Sequence, residues 1–262
     1  MTVAIGLVCS DGVIVASDSM ASSGNTARPI CKVFAVPELG VVWTAAGAVF
    51  VIEEVEAVVL KEARENRVQA ICRAPDLAGV RTALAPKITD KMKQCYGAAL
   101  PFGINSSLSS TVPQHPFNSD FLLLGWSRDT PWFLEVSHDG QLNWHTSNGF
   151  AAVGSGGEFA SVAQGLMKHY VEGRELSVDD GLLVAYRTIE TTCEVSSHHV
   201  GLPVWLAVST ASGARVLERA EIDEIRDTVL GWKQLERETL AALRTPTVED
   251  ATDTVPVLPP DV

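Results

Sequence analysis

The strands of this chain are apolar on both faces, and that narrows the fold more than any other feature. A strand with one wet side alternates apolar and polar residues. Here residues 13–18 read VIVASD, 41–45 read VVWTA and 120–126 read DFLLLGW, with little alternation. Such strands need cover on both sides. Short turns join them. Asp11-Gly12 separates TVAIGLVC (2–9) from 13–18, and Asp139-Gly140 separates 131–137 from 141–146. An Asp-Gly pair between two apolar runs predicts a β-hairpin. Strands 32–36 and 41–45 form another pair across Pro37-Glu38-Leu39-Gly40.

Between strand groups the apolar period becomes helical. Val51, Ile52, Val55, Val58 and Val59 lie on one stripe. A second helix is expected from Asp76, a plausible N-cap, to about Tyr96, with Pro86 kinking or dividing it. Residues 97–118, rich in Gly, Ser, Pro and Asn, read as an exposed loop. After strand 150–153 a helix places Phe159, Val162, Ala163, Leu166, Met167 and Tyr170 on one face. Another begins at Ser177-x-x-Asp180, a variant of the capping box, and runs to about Ser196. Strands 204–209 and 214–217 precede a last helix whose stripe is Ile222, Ile225, Val229, Trp232, Leu240 and Leu243. The order is strands, two helices, strands, two helices, strands, helix. It fits an α+β fold: a four-layer αββα sandwich of two antiparallel sheets, each with helices outside. Residues 1–219 are expected to form one domain, 220–243 a helical extension, and 244–262, rich in Pro, Thr and Asp, a disordered tail.

Composition removes several function classes. Of 262 residues, 32 are acidic and 20 basic, a net charge of −12, which argues against nucleic acid as a partner. There is no apolar run of the ~18 residues a membrane span needs. The N-terminus lacks the basic region of a signal peptide. The five cysteines show no C-x-x-C spacing, so neither a disulfide framework nor a zinc site is expected. His198-His199 has no nearby partners to complete a ligand set. Gly154-Ser155-Gly156-Gly157 lacks the lysine of a P-loop and the third glycine of a dinucleotide loop. No metal, no cofactor and no membrane are expected, and a cytoplasmic protein with reduced thiols is.

Five residues could carry chemistry. Thr2 follows the initiator Met1, and removal of Met1 would give a threonine whose own α-amine, with a pKa of about 7.7–8.0, is a general base beside the hydroxyl. Lys32 could depress the pKa of that amine, and Asp18 could hold Lys32 in place. Gly47 ends a strand where a helix starts, so its N–H could face a developing oxyanion. Ser155, between glycines, could add a hydroxyl.

In order and spacing, Thr2-Val-Ala-Ile-Gly6, Asp11-Gly12 through Asp18, Lys32 and Ala46-Gly47 resemble the start of a proteasome β-type subunit. Gly154-Ser155-Gly156-Gly157 is similar to the Gly-Ser-Gly segment of the HslV peptidase, and Val200-Gly-Leu-Pro-Val204 to the Anbu proteins. The resemblance spans about residues 2–210. It implies an N-terminal-nucleophile hydrolase fold and threonine-type peptide hydrolysis, with Thr2 as nucleophile, Asp18 and Lys32 as its charged partners, Gly47 as oxyanion donor and Ser155 as accessory serine. It also implies a homo-oligomeric ring acting on peptides or unfolded protein, and leaves room for an ATP-dependent unfoldase partner. The family carries an aspartate and a serine before the late strand. Here Ser196 or Ser197 could be the serine, while the aspartate is absent unless Glu194 replaces it. Two alternatives stay open: a catalytically silent ring subunit, and a hydrolase of small amides in the same superfamily.

Overall fold

A computed structural model of the protein describes residues 2–23, 26–65, 80–99, 118–127, 130–145, 149–171, 175–196 and 200–244. The strands are β1 (Ala4–Val8), β2 (Gly12–Ser17), β3 (Met20–Ser23), β4 (Thr26–Pro29), β5 (Val33–Val36), β6 (Val41–Gly47), β7 (Ser119–Ser127), β8 (Thr130–Val136), β9 (Leu142–Trp144), β10 (Phe150–Val153), β11 (Trp205–Thr210) and β12 (Gly213–Val216). The helices are α1 (Val49–Arg64), α2 (Ala85–Ala99), α3 (Gly157–Val171), α4 (Val178–Val195) and α5 (Arg219–Arg244).

Two five-stranded antiparallel sheets form the centre, in the orders β10-β1-β2-β11-β12 and β5-β6-β7-β8-β9. The period of two then sorts the side chains into three apolar layers. Val13 and Val15 of β2 point between the sheets with Val42, Leu122, Leu124 and Phe133. Ile14 and Ala16 point the other way, onto Ala160 of α3, Ala185 and Ile189 of α4 and Val229 of α5. Trp43, Phe121, Leu123 and Leu134 face Val51, Val55 and Val59 of α1 and Ile88 of α2. The two-sided apolar strands are therefore the inner layers of a four-layer αββα stack, as their composition requires.

Several local signals act as expected. At Asp11-Gly12 the chain reverses between β1 and β2, and the Asp11 carboxylate also accepts from the Val178 N–H at the start of α4. The Ser177 hydroxyl accepts from the Asp180 N–H, so it caps that helix. Gly140 turns the chain between β8 and β9 at φ +82°.

Other details differ. A π-helical turn, Val80–Leu84, leads into α2, and Pro86 sits at that junction, dividing the helix. The expected N-cap Asp76 lies outside the described residues, as do 100–117 of the expected loop, whose residues 97–99 are helical. The hairpin β3–β4, which the sequence analysis did not anticipate, stands between Asp18 and Lys32. On α3 the expected apolar face divides, and the side chains of Met167 and Tyr170 lie outside the described residues. Phe159, Val162 and Leu166 are 49%, 67% and 58% exposed, while Ala160, Ala163 and Gln164 are buried. Small residues let this helix lie close to its neighbours, and α4 is the helix it contacts most. The stripe of α5 divides as well: Ile222 and Val229 are buried, whereas Leu240 and Leu243 are exposed. Residues 245–262 of the expected tail lie outside the described residues.

The separation of the sheets rests on Gly6. A Cβ there would stand 2.4 Å from Cζ of Phe133, a fully buried ring of the opposite sheet. Gly6→Ala should therefore cost about 1–3 kcal/mol of unfolding free energy. Adding Phe133→Leu should return part of the loss. Denaturant midpoints of the two single variants and the double variant measure that coupling.

Candidate active site

The site is assembled by one buried carboxylate at the end of β2. Asp18 is fully buried, and both of its oxygens are engaged. Oδ1 accepts from the Val3 N–H at 3.1 Å and from Lys32 Nζ at 2.7 Å. Oδ2 accepts from the Met20 N–H at 2.9 Å and the Gly201 N–H at 3.2 Å. Four donors around one carboxylate offset the cost of removing it from water. Lys32, just before β5, is 7% exposed. Its ammonium donates to Asp18, to the Met20 carbonyl and, at 3.2 Å, to Thr2 Oγ1. Burial pulls the Lys32 pKa below its usual value, and the Asp18 carboxylate pulls it back up.

Thr2 is held by its main chain. The Val3 carbonyl accepts from the Asp18 N–H at 3.1 Å, and the Thr2 carbonyl from the Gly156 N–H at 3.2 Å. The second bond explains the glycines of the Gly154–Gly157 turn. A Cβ on Gly154, which has φ +87°, would lie 2.3 Å from the Thr2 carbonyl oxygen, and one on Gly156 would lie 2.7 Å from Val3 Cβ. Ser155, between them, is exposed. Gly47 ends β6 at φ +139°, opposite Ser119 in register. A Cβ at Gly47 would be 2.4 Å from the Ser119 hydroxyl oxygen, and that oxygen accepts from the Ala48 N–H at 3.1 Å. Ser119 in turn donates its own N–H to the Tyr96 hydroxyl. The strand-to-helix corner at Gly47 is thereby clamped.

A cleft of about 240 Å³ opens beside these groups, with Thr2, Lys32 and Gly47 in its lining. Cys31 also lines it, and its thiol donates to the Val33 carbonyl. Burial pushes that thiol's pKa up. On α4, burial and the Asp18 carboxylate push the Cys193 thiol up to about 12. Both cysteines stay protonated near neutral pH, so neither rivals a hydroxyl nucleophile by ionising.

No family model matches the chain. Proteasome β subunits from Methanocaldococcus do align with it. That of Methanocaldococcus jannaschii is 24% identical over 231 residues, covering 87% of this chain and 90% of its own length. That of Methanocaldococcus vulcanius is 24% identical over 229 residues, covering 86% and 88%. Among solved structures, Anbu from Yersinia bercovieri, described as an ancestral β-subunit, superposes with a TM-score of 0.68 at 14% identity, over 94% of this chain and 99% of its own. A mutant Anbu from a Hyphomicrobium species gives 0.66 at 15%, over 94% and 100%. The chain is a distant relative of proteasome β subunits. Its fold is similar to that of Anbu and the proteasome.

Against that proteasome-like frame, the structure brings Thr2, Asp18 and Lys32 together and sets Gly47 in the same cleft. Glu194 goes elsewhere. Its exposed carboxylate accepts from Lys233 of α5 at 2.8 Å. Ser196 closes α4, its N–H bonded to the Thr192 carbonyl, and Ser197 lies outside the described residues. His198 and His199 lie outside them too. Sequence reasoning missed Gly201, the Met20 main chain and the Ser119–Tyr96 clamp. The first two act through backbone atoms, which leave no side-chain signature. Ser119 becomes visible only when β7 is paired with β6.

Asp18→Asn should lower stability by about 3–5 kcal/mol at pH 7, since it leaves the buried Lys32 charge without its counterion. The sign of the pH dependence follows. Without Asp18 the folded Lys32 pKa falls further below the unfolded value of about 10.4. In the window between the two, the unfolded chain binds more protons, so unfolding free energy rises with pH. The deficit of the variant relative to the native protein should shrink from pH 7 to pH 10, as read by urea midpoints.

Proposed function

We propose that the protein is a threonine-type peptidase of a proteasome-like assembly. The observation that carries this reading is the 3.2 Å contact between Lys32 Nζ and Thr2 Oγ1, with Asp18 behind the lysine. Removal of Met1 frees the Thr2 α-amine. That amine takes the hydroxyl proton as Oγ1 bonds to a peptide carbonyl carbon. The carbonyl oxygen gains the negative charge and meets the Gly47 N–H. Collapse breaks the C–N bond, and the ammonium proton leaves with the new amine. Water, deprotonated by the same amine, then hydrolyses the ester and restores Oγ1–H. The fixed charge of Lys32 favours the neutral, basic amine, while its N–H supports the oxygen nucleophile.

Assembly is supported by surfaces that a single subunit leaves bare. Phe159, Val162 and Leu166 on α3, and Leu240 and Leu243 on α5, are each about half exposed or more. Apolar groups clustered in this way mark interfaces. The similarity to proteasome β subunits points to self-assembled rings. The rival reading, a silent ring subunit, draws on Glu194, which is tied to Lys233 and so does not replace the family's missing aspartate.

Three measurements decide. Intact mass should show a chain lacking Met1 that gains the mass of a β-lactone at Thr2. Thr2→Ala should lower peptide hydrolysis by at least about 10³-fold with assembly retained, and Lys32→Met should come close to that, with little rescue by Lys32→Arg. Unchanged turnover in Thr2→Ala would refute covalent chemistry at Thr2. Native mass spectrometry at micromolar concentration should show an oligomer. A monomer at every salt concentration would favour the small-amide hydrolase.

A further inference from the structure

We infer that the cleft beside Thr2 selects a substrate residue whose side chain ends in a positive charge, lysine or arginine, held by Glu53 and Glu56 of α1. The inference rests on the peptidase reading and adds its specificity. The cleft combines two kinds of surface. Ile30, Phe34, Val49 and Ile52 make apolar walls, and Glu53 and Glu56 supply carboxylates in the same lining as Thr2. At about 240 Å³ it is smaller than the ~300–1,000 Å³ typical of a pocket for a drug-sized ligand, and it suits one side chain. Long cationic side chains match such a lining, because their methylene stems cover apolar surface while the charged head finds polar partners.

The carboxylates themselves are in deficit. Glu53 and Glu56 are three residues apart on a helix, hence neighbours on one face, where like charges repel. Two other acids of α1 are neutralised: Glu54 pairs with Lys91, and Glu62 with Lys87. Among the described residues neither Glu53 nor Glu56 has a cation partner. Lys32, the cation in the same cleft, is already bonded to Asp18. Burial and the Glu53 charge push the Glu56 pKa up, which shows the negative form to be under-compensated. A cation entering the cleft supplies the missing charge. An apolar side chain fills the walls but leaves the two carboxylates unpaired and less hydrated. An acidic one adds a third negative charge.

The test uses peptidyl epoxyketones that differ only in the side chain next to the warhead: arginine, lysine, norleucine or glutamate. Labelling of the assembled protein is followed by intact mass. The arginine and lysine probes should label about tenfold faster than norleucine, a difference in the range of one or two partly screened charge pairs, and faster still than glutamate. In the double variant Glu53→Gln/Glu56→Gln that advantage should vanish because the cationic probes slow, while norleucine labels at least as fast as in the native protein, which shows that the nucleophile is intact. Glu56→Lys should shift preference towards glutamate. Equal labelling by all four probes, or a cation preference that survives the double variant, overturns the specificity inference and leaves the peptidase reading standing. Failure of every probe to label the native protein overturns the peptidase reading, and the specificity falls with it.

Discussion

The buried ion pair of Asp18 and Lys32 is the interaction on which the site depends. A carboxylate and an ammonium taken out of water are costly, and their mutual attraction alone rarely repays the cost. Here the balance is completed by main chain. Asp18 gathers N–H groups from Val3, Met20 and Gly201, and Lys32 adds the Met20 carbonyl to its partners. These contacts join the residue preceding β1, the link between β2 and β3, the residue preceding β5 and the approach to β11. Four remote segments are fixed by one pair of charges. Thr2 is placed by the same network, because its neighbour Val3 both donates to and accepts from Asp18.

The sheets supply the rigidity this arrangement needs. Thr2, Asp18 and Gly201 belong to the side of the first sheet, while Lys32 and Gly47 flank β5 and β6 of the second. The cleft therefore sits on the seam between two layers. Its geometry follows their spacing, which is set by the residues packed between them, Phe133 over Gly6 among them. Interiors packed to this density transmit small displacements and do not absorb them. A methyl group added at the seam would be felt as a change in the Lys32–Thr2 separation. Glycine is required at Gly47 and Gly154 for the same reason: backbone from one segment closes on another at less than a side chain's width.

Much of this was legible in the sequence. Unalternating strands and Asp-Gly turns gave the paired sheets, because a strand with two apolar faces has few places to go. Thr2, Asp18, Lys32 and Gly47 were each weak alone but fell in a telling order. What the sequence hid was tertiary. The hairpin β3–β4 between Asp18 and Lys32 reads as polar and glycine-containing chain, which carries no apolar alternation. The outward face of α3 carries Phe159, Val162 and Leu166 at helical spacing, and periodicity alone does not say which side is dry. Short Ala160 and Ala163 won the inner side because the helix lies close to its neighbours. For α3 the deciding quantity was the closeness of its packing, which no local pattern encodes.

The late segment shows how main chain can stand in for side chains. Glu190 and Glu194, one turn apart on α4, both bind Lys233 of α5. Beside them Arg187 packs over the Trp232 ring, its centre 4.1 Å from the ring centroid, and pairs with Glu236. These contacts commit the acidic residues of α4 to fastening α5, and they draw Glu194 towards that helix. Cys193, between the two glutamates in sequence, is held neutral by burial and by Asp18. Among the described residues, what this part of the chain gives to Asp18 is then a single backbone donor, the N–H of Gly201. A backbone N–H carries no net charge and does not titrate. Among the described residues the ion pair that reaches the Thr2 hydroxyl is Lys32 with Asp18 behind it, so the electrostatics around that hydroxyl are set by one lysine and the carboxylate that keeps it in place.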